Sequence, residues 1–189
     1  MSVLDDLANL TKDCFYEYPL KYRPTFNKDK FIEEIMRYTD LDDYDYWLCF
    51  DRLTNKLSGY ARCRRHSNMV HLYVVKVAPV YLKNEVNAAL AYIICEHYIN
   101  KEGFDYVCDG QRNLRHETDY QNFLIRVLGF RRAYCKLNVI YHPLFAPIIK
   151  ILYPFRKVIY RIGNKNQSFY NFYCLLYQEQ IARSFKISQ

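Results

Sequence analysis

The stretch from Met69 to Tyr141 constrains the fold of this chain more than any other. Met69–Ala78 is rich in β-branched residues and stops at Pro79, which reads as a strand. Lys83–Asn100 carries Val86, Leu90, Ile93, Ile94 and His97 or Tyr98 at helical spacing, and Gly103 suits its stop. Phe104–Cys108 reads as a short buried strand, Thr118–Leu128 as a second helix and Phe130–Tyr141 as a last long strand. A helix between two strands demands a crossover. Phe104–Cys108 is therefore expected parallel to Met69–Ala78 through a right-handed connection.

The flanking sequence adds helices and a hairpin. Ser2 suits the cap of a helix through Tyr16, with Leu4, Leu7, Leu10 and Cys14 or Phe15 on one face. Asn27 suits the cap of a second helix, with Phe31, Ile32, Ile35 and Met36 inward; Asp40, Asp42, Asp43 and Asp45 mark its end. Tyr46–Arg52 and Leu57–Arg64 read as a hairpin across Leu53–Lys56. After Tyr141, the positions Leu144, Ile148, Ile151 or Leu152, Phe155, Val158 or Ile159 and Ile162 follow helical spacing. Pro143 fits a helix start, and Pro154 must kink or break it. A terminal helix is expected from Ser168, with Phe172, Leu175, Leu176 and Ile181 inward. The reading is an α/β (α+β) domain over 1–141, a mixed and mostly antiparallel twisted sheet flanked by helices. A helical C-terminal extension over 142–189 then packs on that domain or on a partner.

Composition narrows the class. Just over half of the 189 residues are hydrophobic, enough for a core without disulfide or metal staples. The net charge of +7 favours an anionic partner such as a CoA ester, an acidic sugar, a membrane surface or nucleic acid, or else serves solubility. Twenty Tyr and 12 Phe suit half-buried surfaces and binding grooves. Seven Cys without a C-x-x-C pair fit reduced thiols in a cytoplasmic protein. The polar, acidic Ser2–Asp6 opening does not resemble a signal peptide, and no apolar run reaches spanning length. The His and Cys spacings match no zinc site, and no Walker loop, G-x-S-x-G or dinucleotide fingerprint is present.

Two strings carry a family resemblance. Val74-Val75-Lys76-Val77-Ala78-Pro79-Val80-Tyr81 resembles the central strand and strand exit of the GNAT superfamily of N-acyltransferases. Leu128-Gly129-Phe130-Arg131-Arg132-Ala133-Tyr134 resembles the end of that superfamily's last motif. The likeness spans roughly Ser2–Tyr141 and is similar to a bacterial branch with a degenerate pyrophosphate loop. It implies an acyl-CoA, acetyl-CoA or another, as co-substrate, with no metal. Its pantetheine would pair with backbone near Val75 and Val77, and its pyrophosphate would sit at the N-terminus of the following helix near Lys83, Asn84 and Asn87.

The sequence also departs from the family. The pyrophosphate loop Gln/Arg-x-x-Gly-x-Gly/Ala is matched here by Leu82-Lys83-Asn84-Glu85-Val86-Asn87. Both glycines are gone and Glu85 adds a negative charge. The position of the family's thiolate-protonating Tyr holds Ile125.

Candidate chemistry concentrates in Asp109-Gly110-Gln111-Arg112-Asn113-Leu114-Arg115-His116-Glu117, at the carboxyl end of the parallel strand, where open α/β sheets bind ligands. An amine must lose a proton before it attacks a thioester. His116 or Glu117 is the expected base, Asp109 orients the amine, and Arg112 and Arg115 bind phosphate or an acidic acceptor. The bland alternative is that Glu117-Thr118 caps the next helix and the arginines are solvated. His71 and Tyr73 share a strand face and are candidates to line the acceptor site, although a structural His is common there. His66 and His97 read as solvated.

Three functions stay open. The first is an N-acyltransferase, an acetyltransferase in the simplest case, moving an acyl group to an amine of a small molecule or sugar in a ternary complex. The second is a non-catalytic binding or assembly module on the same fold. The third is an acyltransferase working at a membrane with a long-chain donor, peripheral at the inner face, its contact running through 144–162. The same apolar face would equally serve a homodimer. Arg62, Arg64 and Arg65 beside Tyr60 carry no recognised RNA-binding motif, so nucleic acid is disfavoured as a partner.

Overall fold

The computed structural model describes residues 2–19, 23–110, 119–133, 138–163 and 167–187. They fall into two compact units, one extending through Gly110 and resuming over Tyr120–Phe130, the other containing Arg131 onward.

The first unit begins with α1 (Val3–Tyr16) and α2 (Lys28–Thr39). Ser2 starts α1 with a reciprocal cap: its hydroxyl accepts from the Asp5 N–H, and the Asp5 carboxylate accepts from the Ser2 N–H. Asn27 caps α2 by accepting from the Lys30 N–H. The sheet follows as β1 (Tyr44–Phe50), β2 (Leu57–His66), β3 (Met69–Val77) and β4 (Tyr106–Cys108), in that spatial order. The first three strands are antiparallel neighbours and β4 lies parallel to β3, as the crossover requires.

Both faces of the sheet are covered. Leu7, Leu10 and Cys14 of α1 pack with Leu57 and Tyr60 on one face, joined by Phe31 and Val74. Leu90, Ile94 and Tyr98 pack with Ala61, Cys63, Val70, Leu72 and Val107 on the other. Each fully buried aliphatic side chain there contributes about 1.5–3 kcal/mol. This two-sided burial explains why β2 is inaccessible from Leu57 to Cys63 rather than alternating in and out.

Several element boundaries differ from the sequence reading. The helix expected over 83–100 is divided: Pro79–Asn84 is a 3-10 turn, α3 runs Val86–Cys95, and Glu96–Lys101 closes it with π-type hydrogen bonding. Leu90, Ala91, Ile94 and Tyr98 form its buried stripe, while Ile93 is exposed. His97 is half-buried against Trp47, with its Nε2 2.8 Å from Glu102 Oε1, not solvated. α4 runs Tyr120–Leu128 and ends at Gly129, whose φ of +70° allows the Phe130 N–H to reach back to the Leu124 carbonyl. Among the described residues of 130–141 no strand forms. Residues 134–137 lie outside the described residues, and among those described β4 is the last strand of the sheet.

The second unit is helical: α5 (Phe145–Leu152), a 3-10 turn over Tyr153–Phe155, α6 (Arg156–Gly163) and α7 (Gln167–Ile187). Pro154 breaks the helix where the sequence places it. The Tyr153 ring is flanked by the guanidinium groups of Arg156 and Arg183, 4.4 and 3.9 Å from its centre. Tyr141 donates to Glu179, which also pairs with Arg183. Cys174 and Leu176 are the buried positions of α7, whereas Leu175 points outward.

Candidate active site

The site is built around a fork in the sheet. β3 and β4 pair through only three registers, Met69 with Tyr106, Val70 with Val107 and His71 with Cys108. β3 then continues to Val77 with β2 on one edge and, among the described residues, no strand on the other. The stretch from Leu72 to Val77 thus presents an open main-chain edge, which an extended amide-bearing ligand fits as an added strand.

A bulge shapes this edge. Arg62 pairs with Val74 and Cys63 with Leu72, so Tyr73 is the extra residue. The bulge reverses the phase of the strand. Val70, Leu72 and then Val75 pack toward α3, while Val74 turns to the α1 side. Val75 and Val77 both lie on the open stretch. The Val77 carbonyl accepts from Cys14 Sγ at 3.2 Å, and burial raises that thiol above its ordinary pKa, which keeps it a donor.

His71 stands at the last paired register of the fork. Its ring lies 4.2 Å from the Tyr73 ring, centre to centre. Gly110 lies so close to the ring that a Cβ there would fall 2.1 Å from His71 Nε2. Only glycine fits, and its φ of +76° says the same. Asp109 sits beside this pair at the end of β4. Burial raises its carboxyl above the ordinary carboxylate value, against a hydrogen bond with Gln121 and the charge of His71. Tyr120 opens α4 with a buried phenol that has no hydrogen-bond partner among the described residues. Burial, with Asp109, Cys95 and Cys63 close by, pushes that phenol well above its ordinary pKa, so it holds its proton.

The strand exit carries the second half of the site. The 3-10 turn Pro79–Asn84 delivers the chain to Glu85, which adopts φ +56°, ψ +22°. This left-handed conformation costs a non-glycine residue about 1 kcal/mol. Glu85 stands at the first position where the superfamily's loop carries glycine, so the glycine-type backbone persists without the glycine. The Glu85 side chain does not cap α3; its carbonyl takes the Ala88 and Ala89 N–H groups, and Asn87 Oδ1 also accepts from the Ala88 N–H at 3.0 Å. Gly59 on β2 lets Val86 approach within van der Waals range, 3.4 Å from where a Cβ would be. Lys83 and Asn84 are exposed and Asn87 half-buried around the helix start.

On the α2 side of the fork the lining is aromatic, with two arginines each paired to a carboxylate. Rings step from Tyr38 to Tyr44 (4.7 Å) and from Tyr44 to Tyr73 (6.0 Å), and Tyr73 meets His71. The Arg62 guanidinium lies 4.1 Å from the Tyr38 ring centre and donates to Glu34 at 2.9 Å. Arg64 stacks over Tyr44 and pairs with Asp43 at 2.7 Å. Tyr46, Tyr60 and Arg62 line a small cavity beneath α2 with Phe31, Glu34, Ile35 and Val74.

Of the residues singled out from sequence, His71, Tyr73 and Asp109 come together at the fork, with Val75 and Val77 on its open edge. Lys83, Asn84 and Asn87 gather at the α3 start. Arg112, Arg115, His116 and Glu117 lie outside the described residues. Sequence reading missed Gly110 as the close neighbour of His71, although a glycine directly after an acidic strand end was the available signal. It gave Tyr120 no geometry, and Gln121 carried no signal at all. No group of three or more His, Cys, Asp or Glu side chains among the described residues is arranged to hold a metal ion.

No protein-family model matches the chain. No curated protein matches it either. Solved structures do match. AAC(6')-Iy in complex with a bisubstrate analogue, CoA-S-monomethyl-acetylneamine, aligns at TM-score 0.52 and 14% identity, over 74% of this chain and 91% of that one. Glucosamine-6-phosphate N-acetyltransferase from Arabidopsis thaliana aligns at 0.50 and 9%, over 75% and 95%. A transcriptional regulator from Bacillus halodurans C-125 aligns at 0.52 and 10%, over 73% and 93%. The chain therefore has the fold of GNAT-type acetyltransferases. At these identities the likeness concerns fold alone.

Proposed function

We propose that this protein is an acyl-CoA-dependent N-acyltransferase that moves an acyl group, acetyl in the simplest case, to an amine of a small molecule or sugar. The observation that carries this reading is the edge of β3 beyond the His71–Cys108 register, unpaired among the described residues and leading into the N-terminus of α3, which the Glu85 side chain leaves uncapped. The first suits the amides of a pantetheine arm beside Val75 and Val77. The second suits a pyrophosphate, which exposed N–H groups and the helix dipole favour, with Lys83, Asn84 and Asn87 around it.

In the proposed reaction the acceptor ammonium first gives a proton to a base. His116 or Glu117 fills that role, and Asp109 and His71 hold the amine at the fork. The amine nitrogen then attacks the thioester carbonyl, the new C–N bond forms, the C–S bond breaks, and the nitrogen sheds its second proton as the amide forms. The departing thiolate takes a proton. That proton is the one the nitrogen sheds, relayed through solvent, since Ile125 offers none and burial makes the Tyr120 phenol a weak acid. Tyr73, Arg112 and Arg115 contribute to holding the acceptor.

A second reading has specific support. Glu85 places a carboxylate where phosphate would sit, and it favours a binding module that has lost the co-substrate. One experiment separates the two. Thiol release from acetyl-CoA and from a longer acyl-CoA is followed across a panel of amines, alongside direct calorimetric titration of each ester. Saturable binding with amine-dependent thiol release supports the enzyme. Absence of binding at millimolar ester leaves the module.

A further inference from the structure

The second unit carries a feature that acyl transfer does not use. Leu144, Ile148, Ile151, Phe155, Val158 and Ile162 recur at alternating spacings of four and three from the residue before α5, through the 3-10 turn, to the end of α6. This is the period of a single helix face. All six are exposed, Leu144 at 73% and Ile151 at 67%. The opposite side is the packed one: Ile149 and Gly163 are buried, and Arg156 reaches Gln180 of α7. Six exposed apolar side chains at this spacing on either side of the Pro154 break mark a docking site.

Charge decides what docks. Between Asp119 and Glu179 the sequence has nine Lys and Arg and no Asp or Glu. Lys150, Lys157 and Arg161 lie exposed along the same helices as the apolar face. A second copy of this chain would set Lys150, Lys157 and Arg161 against their own counterparts across the face, which opposes a dimer there. An anionic lipid surface does the reverse. It takes the apolar side chains below its headgroups, and its phosphates face the ammonium and guanidinium groups, each favourable contact adding to the next. No helix among the described residues is long and apolar enough to cross a membrane. The face suits lying on a bilayer.

We infer that α5 and α6 form an interfacial anchor that binds anionic membrane surfaces through the 144–162 apolar face and its flanking basic residues. This inference is independent of the acyltransferase reading. The test is co-sedimentation of the full chain with phosphatidylcholine vesicles and with equimolar phosphatidylcholine–phosphatidylglycerol vesicles. A charge-neutral variant, Ile148→Ser with Ile151→Ser and Val158→Ser, and a basic-flank variant, Lys150→Gln with Lys157→Gln and Arg161→Gln, are run in parallel. All six positions are exposed, and circular dichroism checks that each variant folds.

The expected result is partitioning at least ~10-fold stronger onto the anionic vesicles, weakened by salt and reduced ~10-fold or more in each variant. Three results overturn the inference. One is no binding, or equal binding to both vesicles. Another is a serine variant that binds as tightly as the parent, which would reduce the effect to general positive charge. The third is a dimer in analytical ultracentrifugation that the serine variant dissolves while vesicle binding is absent.

Discussion

Glu85 holds a left-handed backbone that glycine would adopt without steric cost. Glu85→Gly relieves about 1 kcal/mol of native strain and gives back a similar amount through a more flexible unfolded chain. Its melting midpoint is therefore expected to stay within a few degrees of the parent, whereas Glu85→Val, β-branched in the same conformation, drops by at least about 1 kcal/mol. The functional readout is sharper. Removing the carboxylate beside the α3 N-terminus is expected to tighten acetyl-CoA about twofold to fivefold, on the order of 0.3–1 kcal/mol at an exposed helix end. Unchanged affinity in calorimetry would separate this loop from the pyrophosphate.

Asp109 gives a second test at the same scale, with its sign fixed by burial. Its folded-state pKa is raised, so the native protein binds more protons than the unfolded chain just above the ordinary carboxylate value. Its contribution to stability is full below that value and is lost as pH rises through the folded pKa. Asp109→Asn, which cannot ionise, is expected to gain stability relative to the parent toward neutral pH and to show no such gain in acid. Chemical denaturation at a series of pH values measures it. A gain that persists unchanged into acid would refute the assignment. Neither residue shows its role in the sequence. Glutamate gives no hint of positive φ, and a carboxylate's burial is a property of its neighbours. Gly110 was readable only as a glycine; the His71 ring pressed against it belongs to the fold.

At the scale of elements, local signals were legible where local chemistry sets them. The reciprocal cap of α1 is one. Its loss in Ser2→Ala is expected to cost about 1 kcal/mol. Asp5 is held down to a pKa of about 2, first by Lys28 and then by the Ser2 side chain and N–H. Its stabilising effect is thus present above its ordinary value of 3.8 and fades as pH falls toward 2. Ser2→Ala is expected to narrow that acid window, and high salt to shrink it further because the pair with Lys28 is exposed. An acid unfolding limb identical to that of the parent would contradict this. Pro154 and the β3–α3–β4 crossover were legible for similar reasons, one by the missing N–H and the other by handedness. The Tyr73 bulge was not. A bulge is set by how two strands pair, and Met69–Val77 reads as uninterrupted β sequence. The same limit applies to 130–141. Alternation there signals a strand, and the described residues 130–133 and 138–141 show none.

At the scale of the whole molecule, the two units permit two separate readouts from one chain. Trp47 is the single tryptophan and lies in the first unit, its Nε1–H directed to Tyr98 Oη at 3.2 Å beside the Leu90 and Ile94 cluster. Tyr98 in turn donates to Asp45 at 2.6 Å, so unfolding of the sheet necessarily exposes the indole. Tryptophan fluorescence therefore reports the unit that holds the fork. A ligand that binds only the native state raises stability by RT ln(1 + [L]/Kd), about 2.7 kcal/mol at a hundredfold excess. Saturating acetyl-CoA is expected to raise the fluorescence midpoint accordingly. The Ile148→Ser, Ile151→Ser, Val158→Ser variant is expected to show the same rise, because its exposed substitutions belong to the second unit. Anionic vesicles provide the converse, retaining the parent chain while the serine variant stays in the supernatant. A serine variant that loses the acetyl-CoA shift would instead show that the amphipathic helices support the co-substrate site. The apolar face of 144–162 would then act in ligand binding as well as at a surface.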